Sequence, residues 1–358
     1  MRVAAVVAVA LLGSAGCDAV WGLDRGDTRT WVDGYRFRKA ITITPNRAFD
    51  LVDVPISVVL AADAELVASA RSDGKDVVFA TPDGTVLRRE LVAYDPTTGA
   101  LEAWVRVPSL PGADVTQVFL YYGGPMMPSA IGNTWPPSCA GVWHMSETAT
   151  IEHDSTANAH DANGPIAPAR MVGIVGAARD LAESTPLSVP ASGLDFGTGS
   201  FGFSLWVRVH ETLGPSDSPF YKGGSSQINA GYGVLLGTGG WAVSVSDGAG
   251  TERDVELTGA PIIDTWVELG VILDQVAKTT RTFVNGAEVT TVDLGAAFGS
   301  TSNPDRALEL GSMMYPYQGG IDELRVYSAV PPEGWFSIEY ENLTDRDRFM
   351  QLGDEEIR

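Results

Sequence analysis

Phe201-Gly202-Phe203-Ser204-Leu205-Trp206-Val207-Arg208-Val209 is the stretch that decides the fold class. Successive side chains of an extended strand point to opposite faces, so Phe203, Leu205, Val207 and Val209 share one side and Ser204, Trp206 and Arg208 the other. The alternation predicts a strand with one face in a core. The reading extends outward on both sides. Tyr232–Leu236, Trp241–Ser246, Thr265–Leu273, Thr280–Val284, Ala307–Gly311 and Ile321–Tyr327 are further short β-rich segments, and Asn285-Gly286 is a tight-hairpin turn. Many short strands with glycine-rich turns over residues 141–329 predict a large sandwich or jelly roll.

Nearer the N-terminus the same period recurs in Tyr35–Thr44, Val52–Leu60, Asp76–Ala80, Val86–Tyr94, Leu101–Val107 and Gln117–Tyr122. Ser72-Asp73-Gly74, Pro82-Asp83-Gly84, Asp95 to Gly99 and Pro111-Gly112 separate them, which predicts a smaller sandwich over residues 34–124. Ala61–Ala70 hints at a short helix. Residues 125–140 are Pro/Gly-rich and read as a linker. Residues 141–358 form the second unit, closed by a helix around Trp335 to Leu343 and a last strand around Phe349 to Gly353. The expected fold class is therefore all-β, with two consecutive β-sandwiches.

Acidic residues outnumber Lys plus Arg by 45 to 24 in 358 residues, a net charge of −21. That argues against nucleic acid and anionic membrane surfaces as partners. A hydrophobic content of 44% excludes global disorder. Residues 1–17 read as an export signal: a basic Met1-Arg2, an apolar run from Val3 to Leu12, then Gly13-Ser14-Ala15-Gly16 before Cys17. The run is too short to span a bilayer, and no other apolar stretch approaches the roughly 20 residues of a span. The segment resembles a bacterial lipobox with Cys17 as the lipid-modified residue, except that Ser14 stands where Leu is usual. Lipid attachment would hold the protein at a membrane of the cell envelope, and ordinary cleavage near Gly16 would release it instead. Losing the leader removes Arg2 and brings Lys plus Arg from 24 to 23, a net of −22. Cys139 is then a lone, inert thiol, or pairs with Cys17 if no lipid is attached. Residues 18–33 read as a tether, and its Arg25-Gly26-Asp27 reads as a chance tripeptide.

Two family resemblances follow. Tyr35-Arg36-Phe37-Arg38-Lys39, Ser72 to Phe79, Ala103-Trp104-Val105-Arg106-Val107-Pro108 and Leu120-Tyr121-Tyr122-Gly123 resemble the bacterial domain of unknown function DUF2341. Gly141 to Glu147, Asp154-Ser155-Thr156-Ala157-Asn158, Phe203 to Val207, Asp264-Thr265-Trp266-Val267, Phe283-Val284-Asn285-Gly286 and Gly319 to Tyr327 resemble a laminin-G-like module of the concanavalin A-like lectin/glucanase superfamily. The second resemblance implies a concanavalin A-like jelly roll whose members often bind glycans, frequently with a structural Ca²⁺. It also implies that Asp154 and Asp322 contribute to one metal site, with Asn158 or Asp161. The alternative is an Asx turn at Asp154 and a hydrogen-bonded strand-end Asp322.

Other signals are weaker. Gly197 to Gly202 matches G-x-G-x-x-G, but a strand follows it where a dinucleotide site needs a helix. His144, His153, His160 and His210 lack zinc-ligand spacing. Glycosidases need two carboxylates across the scissile bond. The nearest acidic pair, Asp322-Glu323, is expected to point to opposite faces of its strand, so the protein reads as non-catalytic. Trp143, Trp206 and Trp266 read as core, whereas Trp241, Tyr315 and Tyr317 are the candidate rings for stacking on a sugar. The expected function is an exported, lipid-anchored envelope protein that binds carbohydrate or mediates adhesion. The alternatives are a structural or assembly component that binds other envelope proteins, and a divergent glycoside hydrolase.

Overall fold

The period-two segments of the first unit form β1 (Phe37–Ile43), β2 (Leu51–Leu60), α1 (Ala64–Ser69), β3 (Val78–Ala80), β4 (Arg89–Asp95), β5 (Ala100–Leu110) and β6 (Thr116–Tyr122). They are seen in a computed structural model that describes residues 30–44, 49–127, 133–165, 169–181, 186–191, 193–210, 217–226, 229–236, 240–257, 262–311 and 317–358. Cys17, the leader, the Arg25-Gly26-Asp27 tripeptide and Tyr315 lie outside the described residues, as does part of the 125–140 linker. Strands β2, β5 and β4 pair in that order, and β1, β6 and β3 pair in a second sheet. Leu101, Ala103, Val105 and Val107 of β5 join Ile41, Ile43, Val118 and Leu120 in one buried cluster. That leaves the even-numbered side of β5, with Glu102, Trp104 and Arg106, turned the other way.

The second unit contributes β7 (Cys139–Trp143), β8 (Ile151–Glu152), β9 (Ala162–Asn163), β10 (Ala169–Val172), β11 (Ala177–Leu181), β12 (Leu187–Val189), β13 (Phe201–Val209) and β14 (Phe220–Ser226). It continues with β15 (Asn229–Leu236), β16 (Trp241–Ser246), β17 (Glu252–Glu256), β18 (Trp266–Asp274), β19 (Thr279–Val284), β20 (Ala287–Asp293), β21 (Leu308–Leu310) and β22 (Gly319–Tyr327). One sheet runs β10-β11-β22-β13-β18-β19-β20 with β7 also on β22, and the other runs β17-β16-β15-β14-β21-β12-β9-β8. Between them lies a core that includes Phe203, Leu205, Val207, Phe220, Tyr232 and Val243. This is the expected all-β, double-sandwich architecture. Among the described residues no helix is long and apolar enough to cross a membrane.

Three features depart from the local reading. First, both faces of β13 are buried: Ser204 is 1% and Trp206 2% exposed. The outer face is covered by α2 (Trp335–Thr344), whose Tyr340 ring stacks on Trp206 at 5.7 Å. Phe336 settles beside Phe283, ring centroids 4.8 Å apart, over Gly270, where any Cβ would lie about 3.1 Å from the Phe336 ring. Second, α3 (Arg346–Phe349) turns the chain back, and β23 (Met350–Ile357) does not join the second sandwich to which the sequence reading assigned it. It pairs with β1, from Phe37↔Ile357 to Ile43↔Met350, and completes the first unit's sheet in the order β23-β1-β6-β3. The physical reason is an open strand edge: without β23, one side of β1 would present unpaired backbone groups. Third, β22 carries a bulge. Ser204 pairs with Arg325, yet Trp206 pairs with Asp322, and Glu323 has a φ of 45°. The extra residue shifts the alternation by one, so Leu324 and Val326 stay in the core while Asp322 and Glu323 both leave it. The expectation that these adjacent carboxylates point to opposite faces is therefore corrected.

Candidate functional site

The residues expected to hold Ca²⁺ do not form one ligand set. Asp154 is an Asx-type hub: Oδ1 accepts from the Val142 and Thr156 amides at 3.0 and 2.9 Å, and Oδ2 from Thr156 Oγ1 and the His160 amide at 2.8 and 2.9 Å. Asp161 Oδ1 accepts from the Asp154 amide at 2.9 Å, and Asn158 donates to the Ala140 carbonyl at 3.0 Å. Asp322 serves other segments, accepting from the Ile174 and Glu323 amides at 2.7 and 3.0 Å. Oxygens saturated by N–H and O–H donors are poor cation ligands, since Ca²⁺ asks for six to eight of them. Among the described residues no three or more His, Cys, Asp or Glu side chains are grouped to hold a metal.

The candidate stacking rings are also relocated. Trp241 and Tyr317 are each 1% exposed and pack together in the second core, with centroids 6.3 Å apart. The Tyr317 hydroxyl sits within 3.1 Å of the Arg208 and Gly320 carbonyls. Buried rings cannot stack on a sugar. Gly197 to Gly202 is a turn into β13, as its sequence context implied.

What the structure does assemble is a closed ionic web where the two units meet. Trp104 and Trp135 of the first unit and linker face β22 and the segment after β7. Arg325 lies over Trp104 at 4.6 Å, its guanidinium 2.7 Å from Glu323 and 3.2 Å from Glu339 of α2. His144 stacks on Trp104 at 5.7 Å, with Nδ1 2.8 Å from Glu323 and Nε2 3.5 Å from Glu90. Glu90 also accepts from Trp135 Nε1 at 2.8 Å and from Ser155 Oγ at 2.7 Å. Glu339 accepts from Ser204 Oγ and Trp335 Nε1 at 2.9 and 3.0 Å.

Burial alone would lower the His144 pKa, but Glu323 and Glu90 outweigh it and hold the ring well above the ordinary histidine range. Burial would raise Glu90 and Glu323, but His144 leads the contacts that hold both below their ordinary value. Asp322 and Glu268 are pushed far up by burial, with Glu323 and Glu339 respectively adding to it. Glu102 is pushed up to about 7, mainly by burial and then by Glu323. Perturbed groups often mark active sites. Here Asp322 is 0% and Glu323 1% exposed, so the web is closed to solvent and ties the two units together.

A pH dependence follows. A carboxyl raised by folding contributes stability below its unfolded pKa, near 4.5, and that contribution is lost as pH rises through the folded value. Glu102 at about 7, Glu152 at about 8 and raised His144 therefore all act in one direction. Lowered Glu90 and Glu323 act oppositely, withdrawing stability as pH falls below 4.5. The melting temperature is expected to peak at mildly acidic pH and to fall toward pH 8. Glu102→Gln, which cannot ionise, should melt with the wild type at pH 5 and above it at pH 8. A flat wild-type profile from pH 5 to 8 would contradict this account.

Beside the web a cleft of about 240 Å³ opens along the same seam. Arg88 and Arg106 come from the first unit, Asn133, Trp135, Pro136 and Pro137 from the linker, and Cys139, Thr156, Ala157 and Asn158 from the second unit. Arg106 is held by Asp53 at 2.8 Å, while Arg88 lies 3.5 Å from the Asn133 carbonyl. Among the described residues no carboxylate lines the cleft. Burial pushes the Cys139 thiol far up, so it is no nucleophile there. Sequence reasoning singled out Asn158 but missed the arginines, whose convergence depends on how the units dock.

Residues 181–333 match the family model of the concanavalin A-like lectin/glucanases superfamily. That segment is the body of the second sandwich, from the end of β11 to just before α2. Among curated proteins none matches. Solved structures similar to this chain include the binding domain of Paraclostridial Mosquitocidal Protein 1, at 13% identity over 57% of this chain and 52% of that one, with a TM-score of 0.47. Domain 4 of AbnA, a GH43 extracellular arabinanase from Geobacillus stearothermophilus in complex with arabinotriose, shares 18% identity over 56% of this chain and 98% of that one, TM-score 0.45. The Botulinum neurotoxin serotype D binding domain shares 12% over 57% and 50%, TM-score 0.44. The chain thus spans about half the length of these two toxin binding domains.

Proposed function

We propose that this chain is a non-catalytic, glycan-binding protein of the cell envelope, exported by its leader and attached to a membrane through lipid on Cys17. The observation that carries the binding role is the seam cleft. Guanidinium, amide and hydroxyl groups are donors and acceptors suited to sugar hydroxyls. The lectin-superfamily match of residues 181–333 supports glycan binding by the second sandwich in general, the cleft's lining from Arg88 to Asn158 lying outside that segment. At about 240 Å³ the cleft is smaller than the roughly 300–1,000 Å³ of drug-sized ligand sites, so it suits one terminal sugar ring. Hydrolysis would need two carboxylates flanking a bond, and the lining supplies none among the described residues. Lipid on Cys17 would join the two sandwiches to the membrane through the segment of residues 18–33.

The test is a glycan array followed by calorimetry on the best binder. Arg88→Ala and Asn158→Ala are each expected to weaken binding about 10-fold, on the scale of one or two lost hydrogen bonds to charged or polar groups. Absence of any glycan binding by the folded protein, or binding unmoved by both changes, would refute the cleft as the site.

A further inference from the structure

Lys39 lies on the core side of β1, in step with Ile41 and Ile43, where an aliphatic residue would be ordinary. Its ammonium group touches Asp63 Oδ2, and the two side chains are 6% and 4% exposed. Glu65 Oε2 stands 3.2 Å from the same nitrogen, on a side chain 50% exposed. The other oxygen of Asp63, Oδ1, accepts from the Leu66 amide at 2.9 Å. The Asp63 backbone is fixed as well: its amide donates to Thr98 at 2.9 Å, and a Cβ at Gly99 would meet its carbonyl at 2.0 Å. A buried ion pair is weak as a stabilising device, because desolvation cancels most of the attraction. This arrangement has instead the parts of a small reaction centre: an amine nucleophile against a carboxyl carbon, a donor on the carbonyl oxygen, and a second carboxylate that reaches solvent.

We infer that Lys39 and Asp63 become joined by an amide between Nζ and Cγ. Glu65 takes a proton from the Lys39 ammonium. The amine's lone pair attacks Asp63 Cγ, and charge develops on Oδ1, where the Leu66 N–H holds it. Glu65 delivers the first proton to Oδ2, takes a second from the nitrogen and passes it to the same oxygen, the Cγ–Oδ2 bond breaks, and Oδ2 leaves as water. The N–Cγ bond replaces the C–O bond, nothing is oxidised or reduced, and no co-reactant is needed. The product keeps Oδ1 as the cap of α1, so the fold need not move. The cross-link would tie β1 to the β2–α1 connection and restrict the unfolded chain, as other covalent loop closures do.

The test is proteolysis of the full chain with chymotrypsin and mass spectrometry of the peptides. The two linear peptides bearing Lys39 and Asp63 should be absent, replaced by one branched peptide lighter than their sum by one water. Lys39→Arg, which keeps the ion pair, should restore the linear peptides. Glu65→Gln should still fold, since Glu65 is half-exposed, yet yield linear peptides and melt below the wild type, because the loop closure is lost. Intact linear peptides from the wild type, or a water loss mapped to another site, would overturn the inference. A branched peptide persisting in Glu65→Gln would overturn the role given to Glu65.

Discussion

Arg325→Met is expected to destabilise the protein by about 3–5 kcal/mol, the usual result of removing one partner of a buried ion pair. The guanidinium lies between Glu323 at 2.7 Å and Glu339 at 3.2 Å, and over the Trp104 and Trp135 rings at 4.6 and 5.4 Å. Methionine would fill much of the volume while leaving both carboxylates buried beside raised Glu268 and Asp322. Native domains have only about 5–15 kcal/mol in total, so this is a large share. Urea unfolding followed by tryptophan fluorescence measures it. Adding Glu323→Gln should recover part of the loss, because the coupling between touching charges is not additive. A loss under about 1 kcal/mol for Arg325→Met would mean that the web does not clasp the units.

Deleting residues 350–358 should open the first sandwich while leaving the second folded. The deletion removes the whole β23–β1 ladder, in which each hydrogen bond contributes a net of about 0.5–1.5 kcal/mol. It also removes Glu355, which accepts from the Tyr122 hydroxyl at 2.5 Å, and Glu356, 2.6 Å from the guanidinium of Arg38. Arg38 is 2% exposed and lies over the Phe119 and Trp31 rings at 4.2 and 4.4 Å, so it would lose its carboxylate and keep, among the described residues, those rings and the Tyr121 hydroxyl at 3.2 Å. Hydrogen exchange should show loss of protection in β1 and β6 with β13 and β18 unchanged. The bared edge of β1 should promote aggregation, as unpaired strand edges do. Full protection of β1 in the truncated chain would show that the first sandwich closes without its last strand.

Most of the strands were legible because alternation and turn chemistry are local. Phe201–Val209 and Trp241–Ser246 were bounded correctly, and Asn285-Gly286 is the turn between β19 and β20. Short strands such as β8 and β9, two residues each, carry no period to read. The site was less legible. Asp154, Asn158 and Asp161 share a loop as expected, but the two carboxylates accept amide hydrogens within that loop and the Asn158 side-chain amide donates to the Ala140 carbonyl. Trp241 follows Gly239-Gly240 and Tyr317 follows Pro316 in the sequence, which read as loop positions, yet their rings are buried. His144 carried no motif, and its significance lies in Glu90, which is 54 residues earlier, and Glu323, which is 179 later.

The sequence by itself determined the class of the molecule: acidic, strand-built, in two sandwiches, with a lectin-like second unit. It did so because side-chain alternation and turn residues are properties of a few neighbouring positions. Only the tertiary structure decided which faces are wet. It buried both sides of β13, returned β23 to the first sheet, used one bulge to put Asp322 and Glu323 on the same face, and brought Arg88 and Arg106 to one cleft. Each of these depends on what packs against a strand from far along the chain, and a local period holds no record of that.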